Sequence, residues 1–461
     1  MLLKNRLETP EPIFRAYDIR GRVPAELNSD VVYNIGKAFG SEAIDQGQSV
    51  VYIARDGRLS GPELLTALAD GLKSSGVRVI SIGAVPTPVL YFAALTKGTG
   101  TGIMLTGSHN PADYNGLKMM IAGHTLSGDD IQMLKNRILA AEVIKGKGSY
   151  EIIDICEEYI NHICQQESLV RPLKIVIDAG NGITGDIAPV LFRKLGCEVI
   201  ELFCEVDGHF PNHHPDPSKP KNLIDLTEAV KKHEADVGIA FDGDGDRLGL
   251  ITAKGHNIYP DRQLMLYAKD VLKDNPGATI LYDVKCSSHL EPFIEKLGGK
   301  AVMYKTGHAL IKKELKAIAA KLAGEMSGHT FFNDRWPGFD DGLYTAVRLL
   351  EILSKSEGDL DDLFAAIPDS ISTPELNIAV ADHKKFDVVN ALVNDAPAAF
   401  PKAKIITIDG VRVEFENGWA LVRASNTTPC LVLRFEADDE VALSEIRKGF
   451  GDWVEAVVAS H

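Results

Sequence analysis

Cysteine is scarce and scattered. Six residues, at positions 156, 164, 197, 204, 286 and 430, form no CxxC pair, and in a chain this long they read as reduced, partly buried thiols. No apolar run reaches the length that spans a bilayer, so no membrane partner is expected. The opening MLLKNRLETPEP carries charges and prolines where a signal peptide needs an apolar core, and a cytoplasmic protein is expected. Positive charge is also in deficit: 49 Lys and Arg against 64 Asp and Glu leave a formal net charge of -15. A nucleic-acid partner, which favours a basic face, is therefore not expected. An anionic small molecule remains admissible if local cations or a metal overcome the background field at its site. The remaining composition is ordinary, 45% hydrophobic and 25% charged over 461 residues, enough for three or four domains.

Short β-branched runs alternate with amphipathic helical stretches, which makes the class α/β. Three strands open alike, in SVVYIARDGR, LKIVIDAGNG and ATILYDVKCS, and each apolar run ends in an aspartate: Asp56, Asp178 and Asp283. After the first, Leu64, Leu65, Leu68 and Leu72 share one helical face, with Pro62 near its start and Gly76 past its end. Each unit then supplies a second strand and a loop dense in glycine and polar groups: LTGSHNPADYNGLKMM, IAFDGDGDRLGLI and AGEMSGHTFF. This reads as an internal repeat, which predicts that Ser108, the Asp242–Asp246 cluster and Glu325–His329 occupy equivalent loops facing one cleft.

The tail differs. From about Ser370 it shows β alternation broken by Asp409-Gly410 and Asn417-Gly418, both hairpin signals, and a helix is predicted from about Asp439. The predicted units are 1–153, 154–254, 255–368 and 369–461, the last joined through the short acidic helix of SEGDLDDLFAAI. The stretch HFPNHHPDPSKPKN, 209–222, has two histidines that suit a metal, His213 and His214. Its prolines favour a rigid connecting loop with no catalytic role.

Four loops carry chemistry. In DGDGDR, Gly243 and Gly245 permit turns that aim Asp242, Asp244 and Asp246 at one point. Hard oxygen ligands suit Mg²⁺, and an EF-hand is excluded because Ala253 stands at its twelfth position. In TGSHNP, Ser108 follows a strand, Gly107 admits close approach of a ligand, His109 and Asn110 are nearby donors, and Lys118 lies within folding-back distance. An isolated serine here would only cap a turn. In GEMSGH, Glu325 and Ser327 are spaced to grip vicinal sugar hydroxyls, and His329 suits proton transfer. In RASNTTP, Arg423, Ser425, Asn426, Thr427 and Thr428 are five donors suited to phosphate, although a hairpin tip has the same composition.

FRAYDIRG, TGSHNP with NGLK, DGDGDR, GEMSGH and RASNTTP, in this order, resemble the α-D-phosphohexomutase family, most nearly its bacterial members that act on mannose and glucose phosphates. The resemblance implies three α/β domains with mixed sheets and a fourth, α+β domain resembling a TATA-binding-protein-like fold. It implies that Ser108 carries an exchangeable phosphoryl group and, with Asp242, Asp244 and Asp246, holds Mg²⁺. Glu325 and Ser327 would bind sugar hydroxyls, and Arg423, Ser425, Asn426, Thr427 and Thr428 the non-reacting phosphate. Lys118 and His329 would be the acid/base groups, Lys118 as base if neighbouring cations lower its pKa. His109, Arg20 and Arg247 would assist them, and Tyr17, Arg262, Lys285 and His308 would also line the cleft. Ala112 and Leu117 depart from the family's common residues without removing a functional group. The expected enzyme is a monomeric isomerase that interconverts hexose 6- and 1-phosphates through a hexose 1,6-bisphosphate. The alternatives are a phosphoglucosamine mutase and a metal-dependent sugar phosphatase.

Overall fold

The structure is a computed structural model that describes residues 11–426 and 428–461. Its first three sheets share one core topology. In the first, Val50–Arg55 pairs in parallel with Arg78–Ala84 on one side and Gly102–Leu105 on the other, and Tyr114–Ile121 runs antiparallel to Gly102–Leu105. The second repeats this with Lys174–Asp178 between Glu198–Leu202 and Val237–Phe241, then antiparallel Leu248–Thr252. The third repeats it with Thr279–Asp283 between Lys300–Tyr304 and Leu322–Gly324, then antiparallel Thr330–Phe332. Parallel strands need crossover helices, and these cover the sheets and bury them on both faces. The three loops singled out in the sequence all connect the third strand of a unit to its antiparallel fourth, so the repeat is real and its chemistry is equivalently placed.

The first two α-helices, Ser29–Asp45 and Gly61–Ser75, pack closely along their length. The second buries Leu64, Leu65, Leu68 and Leu72, as their spacing predicts, and Gly76 closes it in the left-handed region at φ 105°. The two backbones nearly touch. A Cβ on Gly71 would overlap the carbonyl oxygen of Tyr33, and one on Gly36 would lie 2.7 Å from that of Leu68.

The fourth unit is an antiparallel sheet in the order Ile371–Ser372, Cys430–Ala437, Gly418–Ala424, Val411–Phe415, Lys404–Ile406, with Leu376–Ala379 also on Cys430–Ala437. Both predicted hairpins form there. The last helix, Glu440–Ala459, starts where expected, with the Asp439 carboxylate accepting from the amides of Val441 and Ala442. The six-residue helix Leu360–Ala365 leads into this unit and begins with a capping box on Asp359.

One apolar cluster runs without a break from Tyr52 to Ile367 and welds units one to three together. The fourth unit keeps its own core, from Val388 to Val454. It meets the third through a small apolar patch, Trp419 and Leu421 against Val284 and Met303, and through polar contacts around it. Arg412 donates to the carbonyls of Val284 and Cys286 at 2.7 and 2.6 Å, Arg434 to that of Lys285, and Ser287 to Glu436 at 2.8 Å. Both guanidiniums flank the fully buried ring of Trp419, Arg412 at 3.9 Å from its centroid.

The helix crossing in the first unit is directly testable. Gly71→Ala gains about 1 kcal/mol of helix propensity, but overpacking against a backbone oxygen costs about 1–3 kcal/mol. Calorimetry should therefore show the first unfolding transition at lower temperature; a transition at or above wild type would refute the close crossing.

Candidate active site

Ser108 sits in the left-handed region, at φ 50°, at the tip of the first unit's loop, and is 1% exposed. A non-glycine residue in this conformation is held there by its surroundings. Asp56 accepts from Thr106 Oγ1 at 2.7 Å and from the Gly107 amide at 3.2 Å. Arg58 pairs with Asp56 and donates to the carbonyls of Ser108, Asn110, Pro111 and Tyr114, all between 2.5 and 2.9 Å. A Cβ on Gly107 would collide with that guanidinium. Gly107 thus makes room for the loop's own clamp. Arg20 reaches the same loop, donating to Asn110 Oδ1 at 3.0 Å and to Asp18 at 2.5 Å.

The Ser108 hydroxyl donates to Asp242 Oδ2 at 3.0 Å and lies 3.1 Å from Nδ1 of His109. Two distant segments of chain, 134 residues apart, therefore meet as the repeat predicts. Asp242, Asp244 and Asp246 are all fully buried, and each offers an oxygen within 4.8 Å of the others. Burial, then repulsion from Asp244 and Asp246, pushes the Asp242 carboxyl well above its ordinary range. Cations offset this. Lys118 Nζ lies 2.7 Å from Asp244 Oδ2 and also contacts Asp246, and Arg247 Nε is 3.8 Å from Asp242 Oδ2. Thr87, from the first unit, donates to Asp244 Oδ2 at 2.5 Å.

The sequence left Lys118 as a base if cations lowered its pKa. Its neighbours are instead carboxylates. Burial alone would lower it, but Asp244 and Asp246 outweigh that and hold the ammonium well above its ordinary value. Lys118 is a charged donor in this arrangement. His109 is the opposite case: burial, then Arg247 and Arg20, keep its imidazole neutral.

The third unit's loop zips onto the aspartate loop. Arg247 and His329 form a backbone bridge, and the Leu248 amide donates to the Gly328 carbonyl at 3.2 Å. His329 Nδ1 lies 2.8 Å from Ser327 Oγ, and its Nε2 lies 3.2 Å from Asp246 Oδ1. Burial opposes its charge, but Asp246 overrides this and lifts the imidazole to about 9. Glu325 Oε1 accepts from the Gly307 amide at 2.6 Å. Asp283 supports this loop as Asp56 supports the serine loop, accepting from the Met326 amide at 3.1 Å.

A cleft of about 400 Å³ joins these groups to the fourth unit. Its lining brings together Tyr17, Arg20, Ser108, His109 and Lys118; Arg247; Lys285, His308, Glu325, Ser327 and His329; and Arg423, Ser425, Asn426 and Thr428. The aspartate trio lies buried at its floor, against Ser108 and Lys118. Ser425 Oγ and Thr428 Oγ1 are 2.7 Å apart, and Arg423 pairs with Asp409 at 2.9 Å. Thr427, read as a further donor, lies outside the described residues.

Arg262 is not brought in. It starts the helix Pro260–Asp274 and turns to the interdomain connection, donating to the Phe364 and Ile367 carbonyls and pairing with Asp369 at 2.9 Å. The proline-rich stretch, whose composition suggests a connecting loop, does more: Asp216–Pro220 forms one wall of the cleft. His214 donates to the His109 carbonyl and fixes this wall against the serine loop, while His213 binds Asp178 of its own unit at 2.9 Å. Sequence reading also missed Arg58, Thr87 and Glu375. Arg58 had a usable signal, since DGR follows the first strand's aspartate; the other two had none.

Four family models match in chain order: the α/β/α domains I, II and III of phosphoglucomutase/phosphomannomutase at residues 11–144, 157–255 and 259–371, and its C-terminal domain at 375–451. The chain is 55% identical to a phosphomannomutase/phosphoglucomutase of Pseudomonas putida, covering 96% of this chain and 95% of that one. It is 53% identical to a phosphoglucomutase of Neisseria meningitidis, covering 96% and 97%. A crystal structure of a phosphoglucomutase/phosphomannomutase family protein from Burkholderia thailandensis superposes with a TM-score of 0.91 at 51% identity, covering 97% of each chain.

The clamp on the serine loop can be tested without any assay of turnover. Arg58→Met leaves four carbonyls and Asp56 without their shared partner. Amide hydrogen exchange across 106–114 should accelerate at least about tenfold, since each charged hydrogen bond contributes about 1.5–3 kcal/mol. Exchange at the wild-type rate would show the loop to be held by something else.

Proposed function

The chain belongs to the phosphoglucomutase/phosphomannomutase family and is a hexose-phosphate mutase, an isomerase, and from that premise we propose that it interconverts the 6- and 1-phosphates of mannose and of glucose through a phosphoryl group carried on Ser108. The observation that carries this reading is the Ser108 hydroxyl at 3.0 Å from Asp242, at one end of a cleft whose other wall presents Arg423, Ser425, Asn426 and Thr428. The four units, taken as 1–153, 154–254, 255–368 and 369–461, each contribute to its lining.

The donor set fits a hard divalent cation such as Mg²⁺. Three carboxylates converge within 4.8 Å, and Asp244 Oδ1 is buried with no hydrogen-bond partner. Asp242, Asp244 and Asp246 would hold the ion beside Ser108, where it would neutralise phosphoryl oxygens. The rest of the chemistry belongs to this chain's own side chains. A phosphoserine brings nearly two negative charges. Lys118, Arg247 and protonated His329 stand beside Asp242–Asp246 to offset them.

With the sugar held through vicinal hydroxyls by Glu325 and Ser327, its free O1 or O6 hydroxyl attacks the phosphorus as the bond to Ser108 Oγ breaks. The attacking hydroxyl gives up one proton and Ser108 Oγ takes one, so the half-reaction is proton-neutral. The product is a hexose 1,6-bisphosphate. It must turn over in the cleft so that its other phosphate faces Ser108, which means the donors at Arg423–Thr428 accept either end of the sugar. Return of that phosphoryl group to Ser108 completes the isomerisation and restores the carrier. The separate core of the fourth unit suits a part that shields the site and then opens for this rotation. A cleft complete within one chain suits a monomer, and six free cysteines suit the reducing cytoplasm.

Ser108→Ala should lower turnover by at least about 10⁴-fold and remove a phosphoryl mass increment from the Ser108 peptide; wild-type turnover would end the carrier assignment. Among sugar phosphates, glucose 1-phosphate and mannose 1-phosphate should react at comparable kcat/KM. Glucosamine 1-phosphate should be slower by at least about 100-fold. A preference for the amino sugar would move the chain to the glucosamine branch. Net phosphate release at the rate of isomerisation would mark a phosphatase.

A further inference from the structure

Among the described residues, Glu375 is the one acidic side chain that the fourth unit turns into the cleft. It stands just ahead of the strand Leu376–Ala379, past Thr373 and Pro374, where the chain enters that unit. Its Oε1 lies 2.6 Å from Nζ of Lys285, a buried lysine of the third unit whose next nearest carboxylate, Asp283, is 4.0 Å away. Lys285 above all, and more weakly Lys219 and Arg423, hold the Glu375 carboxyl down at about 2. One carboxylate therefore sits where cations from the second, third and fourth units converge.

This placement is not needed to hold the units together. The third and fourth units are already joined by Arg412, Arg434, Ser287 and the Thr306 amide, which donates to Asp409 at 3.0 Å. The Glu375 side chain is 36% exposed and faces the open cleft, unlike those buried contacts. Its charge is of the same sign as the phosphate proposed to bind at Arg423–Thr428. A ligand that must leave its donors, turn over and return is hindered by donors that grip too tightly.

We propose that Glu375 is an internal counter-anion of the phosphate-binding side of the cleft: it occupies Lys285 when no substrate is there and weakens the hold on the phosphate that does not react, so that the bisphosphate can let go and reorient. The inference rests on the phosphate reading of Arg423–Thr428 given above. Glu375 is thus a positioning residue and takes no part in bond making.

A merely structural role and this one predict opposite signs. Removing a structural ion pair can only loosen Lys285 and weaken binding. Removing a counter-anion tightens it. Isothermal titration of Ser108→Ala, and of Ser108→Ala carrying E375Q, with glucose 1,6-bisphosphate should give a Kd lower by roughly three- to tenfold in the second, an effect shrinking with added salt. In the otherwise wild-type enzyme, E375Q should lower KM and kcat together, with release of the intermediate becoming slower. A Kd unchanged or raised by E375Q would overturn the proposal. Arg423→Met in the Ser108→Ala background keeps the two readings apart. If it weakens bisphosphate binding while E375Q fails to tighten it, only the counter-anion role is lost. If Arg423→Met leaves binding untouched, the phosphate reading beneath it is lost instead.

Discussion

Three fully buried carboxylates within one five-residue turn repel one another, and the architecture around the cleft is organised by the need to give them cations. Lys118 comes from the first unit, Arg247 from the turn itself and His329 from the third unit. A buried charge without a partner costs several kcal/mol, so none of these groups is free to be elsewhere while the trio is charged. The same need suits the trio to a hard divalent ion. It also explains why Ser108 is useful where it is. A hydroxyl 3.0 Å from Asp242 is within the same focused field, so a phosphoryl group esterified there would face the cations that already serve the aspartates.

Repetition of one topology is what makes this meeting possible. A strand order in which the first strand lies between the second and third, with the fourth antiparallel, puts the third-to-fourth connection at the carboxyl end of the parallel strands, where ligands bind in α/β sheets. Asp56 and Asp283 close their own strands and then accept from the amide one residue before Ser108 and Ser327, respectively. The second unit departs from this. Asp178 binds the Gly180 amide and His213, which frees the DGDGDR turn to be held by Thr87 and Lys118 from the first unit and by the Gly342 amide from the third.

The fourth unit follows another logic. Its core is its own, and it meets the third unit through a small apolar patch of Trp419 and Leu421 on Val284, ringed by arginine-to-carbonyl bonds. Such contacts are directional, whereas the apolar cluster of units one to three is not. A part held this way can shift as a body and still return to one closed arrangement. The proposed reaction would use this, because its bisphosphate intermediate would have to be shielded from water and yet be able to rotate.

Much of this was legible in the sequence because local rules determine it. Period-two and period-3.6 patterning marked the repeated units, the glycines of DGDGDR marked the trio, Asp439 marked the last helix, and the order of five motifs marked the family. What tertiary structure alone decided were the distances and charges that depend on residues far apart in the chain. Lys118 looked like a lysine with a lowered pKa until its neighbours proved to be Asp244 and Asp246. Arg58 lies where a side chain at Gly107 would stand, Arg262 looked like a cleft residue until it turned to the carbonyls of Phe364 and Ile367, and Asp216–Pro220 looked like a bare connector until it became a cleft wall. Patterning reports which face of an element is buried. It carries no information about which other element will lie against that face, and an electrostatic environment is the sum over all of them.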